Sequence, residues 1–148
     1  MTKPTIYLTN FASRKPPHRG SGRVYSIMAK PRPWECGDGR LWRLTPVADD
    51  LAAFRSGAIN IAEYRRRCLR AFRGDNEREL APGILSVDPR DSADPAVADG
   101  DTLCCACSRE AAARGECHRV WAAELLAQAG WRVILDGVET AAGEASDR

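Results

Sequence analysis

The sequence predicts an α/β fold, a three-layer sandwich with a short, mostly parallel sheet. The strongest observation is a strand–helix–strand pattern near the C-terminus: a strand over 102–107, a helix from Cys117 or His118 to Ala129, and a strand over 131–135. Two strands joined in this way normally pair in parallel with a right-handed crossover. The chain has 148 residues, of which 44% are hydrophobic and 28% charged, and this composition is typical of a globular protein with one real core.

Two further strands are predicted in the N-terminal third. Residues 5–9 are mostly β-branched or aromatic and lead into Asn10, and residues 23–28 include Val, Tyr and Ile. Between them, residues 16–22 are rich in proline and glycine and indicate a turn-rich connection. The prolines at 31 and 33 end the second strand, because proline removes a backbone donor from the ladder.

Two helices are predicted in the middle of the chain. The first runs over 46–54, with Thr45 as the N-cap and a proline at the first helical position. The second covers 61–72, and Asn60 is its N-cap, with a glutamate three residues later as in a capping box. Cys68 shares the apolar stripe of this helix, so we expect it to be a core thiol rather than a ligand.

The remaining segments are predicted to be irregular parts of a single α/β domain spanning 1–148. Residues 81–101 contain three prolines and five aspartates and are expected to form a long loop. Residues 136–148 lack an apolar pattern and are expected to form a flexible tail.

The charge is unevenly distributed, although the net charge is only +2. Residues 1–43 hold nine Lys or Arg residues against two acidic ones. Such a surface attracts nucleotides or nucleic acids, and the alternative is an ordinary solvated, Arg-rich surface. Trp34 and Trp42 lie in this basic region, where they would either stack on bases or plug the edge of a small core, whereas Trp121 and Trp131 fit the core of the C-terminal unit.

Nothing in the sequence indicates a membrane span or a signal peptide. No run of about 18 apolar residues is present, and the N-terminus has no long apolar segment. We therefore expect a cytoplasmic protein with reduced cysteines. Clustered cysteines in that compartment favour metal or thiol chemistry over structural disulfides.

The most informative feature is a cluster in which four of the six cysteines and one of the two histidines fall within fifteen residues. Along the predicted strand, Cys105 and Cys107 face one side and Cys104 the other, so Cys104 is expected to be core. Cys117 opens the following helix, where unpaired backbone N–H groups and the helix dipole favour a thiolate. Ligands of parallel sheets bind at this carboxyl edge of the strands.

Three interpretations of this cluster remain open. In the first it is a thiol or anion-handling site: Arg119 and Arg14 bind an anion, Cys107 or Cys117 is the reactive thiol, and His118 moves protons. The second is a zinc site, although the spacing lacks a CxxC loop. The third is a structural role, in which the cysteines fill the core and the histidine caps the helix.

The predicted topology places further candidate ligand-binding residues near this cluster. Asn10 and Ser13 follow the first strand and would join the same edge as ligand-binding residues if that strand is central and parallel. The zinc alternative uses these ligands: Cys105, Cys107, Cys117 and His118.

The segment around the cluster resembles the DUF488 family, small bacterial and phage proteins of largely unassigned function. The shared order is a hydrophobic strand ending at Cys107, a polar loop over 108–116, Cys-His-Arg at 117–119 opening a helix, and a closing strand. The turn over 10–13 is similar to the one that follows the family's first strand. Where the family has Asp-Val-Arg on its second strand, this chain has Ser-Ile-Met at 26–28. The resemblance implies a compact α/β sandwich with the Cys-His-Arg corner beside the first-strand turn, and it supplies no reaction.

These observations lead to one expected function and one alternative. We expect an enzyme or ligand-binding domain that acts on a nucleotide or nucleic-acid-linked phosphate group through the Cys-His-Arg site, without a resident cofactor. The alternative is a non-enzymatic accessory or interaction protein, in which the Cys/His cluster binds zinc or fills the core.

Overall fold

The computed structural model describes residues 2–13, 15–35, 37–87 and 96–140. Within these residues it contains five strands and four α-helices. The strands are β1 (Thr5–Asn10), β2 (Val24–Ser26), β3 (Thr102–Cys105), β4 (Arg132–Leu135) and β5 (Val138–Thr140). The helices are α1 (Ala48–Arg55), α2 (Ile61–Arg73), α3 (Arg109–Ala113) and α4 (His118–Ala129).

The strands form one sheet in the order β2-β3-β1-β4-β5. β1 is central and pairs in parallel with β3 and β4, β2 pairs in parallel with β3, and β5 pairs antiparallel with β4. The predicted α/β class with a short, mostly parallel sheet is therefore confirmed. The predicted strand–helix–strand unit spans β3 and β4 with α4 between them, and β1 lies between the two strands.

One face of the sheet packs against helices and forms the main core. Ile6 and Leu8 of β1 are completely buried on this face, as is Leu103 of β3. Helix α4 packs against both β4 and α2, and its Trp121 is 1% exposed. Trp131 is also buried, and its indole N–H donates to the Leu80 carbonyl at 2.8 Å. The core positions predicted for both tryptophans are confirmed.

The opposite face of the sheet is covered by the connection between β1 and β2. The backbone N–H of Gly20 donates to Thr102 Oγ1 at 3.0 Å, and that of Gly22 donates to the Gly100 carbonyl. A Cβ on Gly20 would collide with the Gly100 carbonyl and the Tyr7 ring, so only glycine allows this close approach. The layer on this face is therefore built by irregular chain that packs directly on the strands.

The N-cap of α2 and the C-cap of α4 are the residues that the sequence predicts. Asn60 accepts a hydrogen bond from the Glu63 backbone N–H at 2.9 Å, as predicted for the cap of α2. Gly130 ends α4 in the left-handed conformation with φ 115°, which glycine adopts without strain. Cys68 is 1% exposed on the inner face of α2, so its assignment as a core thiol is confirmed.

Several predicted boundaries are wrong. Strand β2 covers only part of the predicted 23–28, β3 ends at Cys105 instead of 107, and the predicted polar loop over 108–116 contains α3. Helix α1 begins at Ala48 with Val47 as its N-cap, because the Thr45 hydroxyl donates instead to the Leu41 carbonyl at 2.7 Å. The segment from 136, predicted to be a flexible tail, is a turn followed by β5. This strand is held by its pairing with β4, and the sequence has no apolar pattern that would have predicted it. Residues 141–148 lie outside the described residues.

The predicted long loop contributes to the core at both of its described ends. Leu85, Val87 and Val97 are buried, and an antiparallel bridge joins Ser86 to Ala96. Residues 88–95 lie outside the described residues. Among the helices that the structure describes, none is long and apolar enough to cross a membrane.

Candidate functional site

Three cysteines meet where β3 ends and α4 begins. Cys105 is the last residue of β3, Cys107 follows two residues later, and Cys117 is the N-cap of α4. Their Sγ atoms all lie within 4.8 Å of one another, and those of Cys105 and Cys117 are 3.4 Å apart. The parallel pairing that places a helix start beside a strand end thus assembles the cluster that the sequence predicts.

Arg119 lies against this cluster and is completely buried. Its Nη1 donates to Cys105 Sγ at 3.0 Å, to Cys117 Sγ at 3.4 Å and to the Cys107 carbonyl at 3.0 Å. A guanidinium in contact with two sulfur atoms favours a negative charge on the cluster. Arg119 therefore acts on the thiols, and the predicted role of binding a ligand anion does not fit its complete burial.

Asp136 is the counterion of Arg119, and sequence reasoning missed it. Its Oδ2 accepts hydrogen bonds from Nε at 3.3 Å and from Nη2 at 3.1 Å of the arginine. Asp136 begins the turn between β4 and β5 at φ 49°, and its backbone N–H donates to the Leu8 carbonyl. The Asp-Gly dipeptide at 136–137 is a hairpin signal that could have revealed this turn.

His118 is buried, and one of its ring nitrogens forms a hydrogen bond. Its Nε2 lies 2.7 Å from the Ile27 carbonyl, which can only accept, so Nε2 carries the proton and Nδ1 carries the lone pair. Burial lowers the pKa of His118, and the ring is therefore neutral at pH 7. This nitrogen pattern also disfavours His118 as a zinc ligand through Nε2.

The turn after β1 supports the cluster through backbone contacts. Asn10 Nδ2 donates to the Cys107 carbonyl at 3.0 Å, while Asn10 Oδ1 accepts from the Ser13 backbone N–H at 2.8 Å. The predicted approach of Asn10 to the cysteines is confirmed, but its polar atoms hold the protein chain in place. Both residues also border a separate cavity of about 630 Å³ that includes Ser108. Arg14, the other residue predicted on this turn, lies outside the described residues.

A second cavity, of about 640 Å³, opens beside the cluster and reaches Cys107 and His118. Its apolar lining includes Leu51, Phe54 and Tyr64, the last two stacked with ring centroids 4.7 Å apart. Of the three clustered cysteines, only the half-buried Cys107 borders the cavity, since Cys105 and Cys117 are completely buried. Cys107 is therefore the accessible thiol of the site, and the predicted reactive role of Cys117 does not fit its burial.

Two cations border the same cavity. Lys30 and Arg55 line it and are exposed, and neither forms an ion pair or hydrogen bond with another residue in the described part of the chain. They come from the segment after β2 and from the end of α1, so their convergence depends on the tertiary fold. Free cations beside an apolar wall suit a ligand with an anionic group and an apolar body.

The surroundings of the three thiols favour the ionisation of one of them. Hydrogen bonds from Cys105 and then Cys117, helped by the positive charges of Arg119 and Arg55, lower the pKa of the Cys107 thiol. Hydrogen bonds with Cys105 and then Cys107, together with burial, raise the pKa of Cys117, because a second thiolate a few ångströms from the first is strongly disfavoured. The cluster is thus suited to holding a single thiolate that faces the cavity.

Some of the other basic residues of the N-terminal third interact with groups of the protein itself. Arg40 donates to the carbonyls of Met28 and Ala29 and lies over the Trp42 ring at 3.6 Å. Trp34 and Trp42 are 66% and 52% exposed, so they do not plug the core edge. Their surface position leaves base stacking as a prediction.

No protein-family model, curated protein or solved structure matches the chain. The DUF488 resemblance accordingly stays a prediction, and the assignment of function depends on the site itself.

Proposed function

We propose that the chain is an enzyme in which Cys107 is a thiolate nucleophile acting on a nucleotide bound in the 640 Å³ cavity. The observation that carries this proposal is the position of Cys107, the one thiol of the cluster that borders a cavity also lined by Lys30 and Arg55. A lowered pKa gives this thiol the reactive form at neutral pH.

The cavity offers complementary contacts to both parts of a nucleotide. Lys30 and Arg55 supply positive charge for the phosphate, a role that the sequence had assigned to Arg119. Leu51, Phe54 and Tyr64 supply apolar surface for the base. A cavity of about 640 Å³ falls within the usual range for small-molecule sites.

The proposed chemistry is transfer of a phosphoryl group to water through the cysteine. The Cys107 sulfur attacks phosphorus, the S–P bond forms, and the P–O bond to the leaving group breaks with its electron pair on the leaving oxygen, which takes a proton from water. A second water then attacks phosphorus, the S–P bond breaks, and the electron pair returns to the thiolate. His118 lines the same cavity, and its Nδ1, the nitrogen without the proton, is the proposed acceptor for the proton of that attacking water.

Alkylation kinetics test the nucleophile. The wild-type protein should contain one thiol that reacts with iodoacetamide much faster than a free thiol at pH 7, with a rate that stays high as the pH falls to 6. The variant Cys107→Ser should lose this fast phase, and the control Cys68→Ser should keep it, because the pKa of the buried Cys68 thiol is raised to about 12. A protein in which no cysteine reacts faster than a free thiol would refute the nucleophile role.

Binding of a fluorescent ADP analogue tests the ligand. Arg55→Ala and Lys30→Ala should each weaken binding by about tenfold, in line with the loss of one charge-assisted contact. Arg70→Ala is the matched control, because Arg70 is an exposed arginine of α2 that does not line the cavity. Equal affinities in all four proteins would contradict the assignment of the phosphate site.

A second candidate function is metal binding, which the geometry of the cluster specifically favours. Three sulfur ligands of one zinc ion lie about 3.8 Å apart, and the Sγ atoms here lie within 4.8 Å of one another. The contact of Arg119 with two of these sulfurs opposes a nearby cation, so we rank this function second. One equivalent of zinc in protein purified without a histidine tag, lost in Cys107→Ser, would reverse the ranking.

A further inference from the structure

The sulfur atoms of Cys105 and Cys117 are in van der Waals contact, and the third thiol of the cluster faces a cavity. The Sγ–Sγ distance is 3.4 Å, and all three Sγ atoms lie within 4.8 Å of one another. Cys105 and Cys117 are completely buried, whereas Cys107 borders the 640 Å³ cavity. Cys107 can therefore react with a reagent that enters from solvent, whereas Cys105 and Cys117 can form a buried disulfide with each other.

We propose that the three cysteines form a redox relay that reduces hydroperoxides, in which Cys107 is oxidised first and a Cys105–Cys117 disulfide is the end product. This inference rests on the proposed function in one respect, the reactive Cys107 thiolate. It adds an activity and a substrate class that do not involve the nucleotide.

The first step is oxidation of Cys107. Its thiolate sulfur attacks the outer oxygen of the hydroperoxide, an S–O bond forms, and the O–O bond breaks. The departing oxygen takes the electron pair and a proton from water and leaves as an alcohol or as water. The product is a sulfenic acid on Cys107, which is two electrons more oxidised than the thiol.

The second step converts the sulfenic acid to a disulfide. The sulfur of Cys117 attacks the Cys107 sulfur, an S–S bond forms, and hydroxide leaves with the thiol proton as water. Cys105 then attacks Cys117 in a thiol–disulfide exchange that releases the Cys107 thiolate. In total, one hydroperoxide and two thiols give one alcohol, one water and the Cys105–Cys117 disulfide.

The geometry supports this order of events. The Cys105 and Cys117 sulfurs are 3.4 Å apart, and they need to approach to the bonded distance of about 2.05 Å. Arg119 Nη1 contacts both sulfurs, so a positive charge lies beside the pair of sulfurs that takes part in the exchange. Cys107 is the better leaving group, since its pKa is lowered and that of Cys117 is raised.

Two other cysteines provide internal controls. Cys104 points to the opposite face of the sheet from Cys105, because adjacent residues of a strand alternate. Cys68 lies in α2, is 1% exposed and has a raised pKa. Neither belongs to the group of three adjacent sulfurs, so neither should be oxidised in the relay.

The test is treatment of the reduced full chain with one equivalent of hydrogen peroxide, followed by alkylation and tryptic mass spectrometry. Cleavage after Arg90, Arg109, Arg114 and Arg119 places Cys105 and Cys107 in one peptide and Cys117 in another. We expect the two peptides to be linked, with fragmentation assigning the bond to Cys105 and Cys117. Oxidation of Cys107 alone to a sulfenic acid, without a link between the peptides, would overturn the relay.

Variants test the role of Cys107 directly. Cys107→Ser and Cys107→Ala should slow formation of the Cys105–Cys117 disulfide at least tenfold, although both bonding partners remain, and Cys68→Ser should leave the rate unchanged. Circular dichroism checks that each variant is folded. Formation of the disulfide at the wild-type rate without Cys107 would show direct oxidation of the buried pair and overturn the proposal.

The result also separates this proposal from the preceding one. Fast alkylation of Cys107 without a peroxide-induced disulfide would remove the relay alone. Alkylation of Cys107 no faster than that of Cys68 would remove both the relay and the nucleophile. Failure of the ADP analogue to bind, with the disulfide formed as expected, would remove only the nucleotide function.

Discussion

The ion pair between Arg119 and Asp136 gives the sharpest stability prediction, tested by Asp136→Asn. Arg119 is completely buried, and the Asp136 side chain is 20% exposed. Asparagine keeps an oxygen for the arginine N–H groups and tolerates the left-handed backbone at φ 49°, so the substitution removes the charge and little else. Removing one partner of a fully buried pair costs about 3–5 kcal/mol.

The partial exposure of Asp136 and the hydrogen bond kept by asparagine reduce this value to about 2 kcal/mol. That loss corresponds to a decrease in Tm of about 4–8 °C for a chain of this size. Urea denaturation measures it as a lower midpoint with an unchanged slope. Glu139→Gln in the same hairpin is the control, because the Glu139–Arg132 pair is half exposed and its loss should leave the midpoint unchanged. An Asp136→Asn midpoint equal to that of the wild type would refute the view that Asp136 compensates a buried charge.

Three further predictions concern other parts of the fold. Trp121→Ala should reduce the free energy of unfolding by about 3–5 kcal/mol, because the indole is 1% exposed. The control Trp34→Ala should leave the denaturation midpoint unchanged, because the Trp34 side chain is 66% exposed. The unfolded state takes up a proton at His118 more readily than the folded state, in which the pKa is lowered, so stability should decline as the pH falls below about 6.5. His118→Gln, which keeps a donor for the Ile27 carbonyl, should flatten that decline, as measured by urea midpoints between pH 5 and 7.5. Gly20→Ala should cost about 1–3 kcal/mol by thermal denaturation, because its Cβ would collide with backbone, and an unchanged Tm would show that the covering segment can move away.

Local features of the chain predict most of its regular elements, although α3 and β5 were not predicted. Helix α4 is predicted to the residue at its C-terminus, because the apolar stripe and Gly130 lie within the helix and its cap. The cap at Asn60 follows in the same way from a hydrogen bond between residues three positions apart. Strand alternation likewise separates Cys104 from Cys105. Each of these features depends on neighbours in the sequence, so the sequence by itself determines them.

The function of the site depends on contacts between distant segments, and these were decided by the tertiary structure. Arg119 has the same sequence context whether it binds a ligand or stabilises a thiolate, and the outcome depends on Asp136, which the turn after β4 brings to it. Lys30 and Arg55 converge on Cys107 only when the segment after β2 and the end of α1 fold over the carboxyl edge of the sheet. Burial of a charge and the shape of a cavity are properties of many packed segments at once, and no local periodicity encodes them.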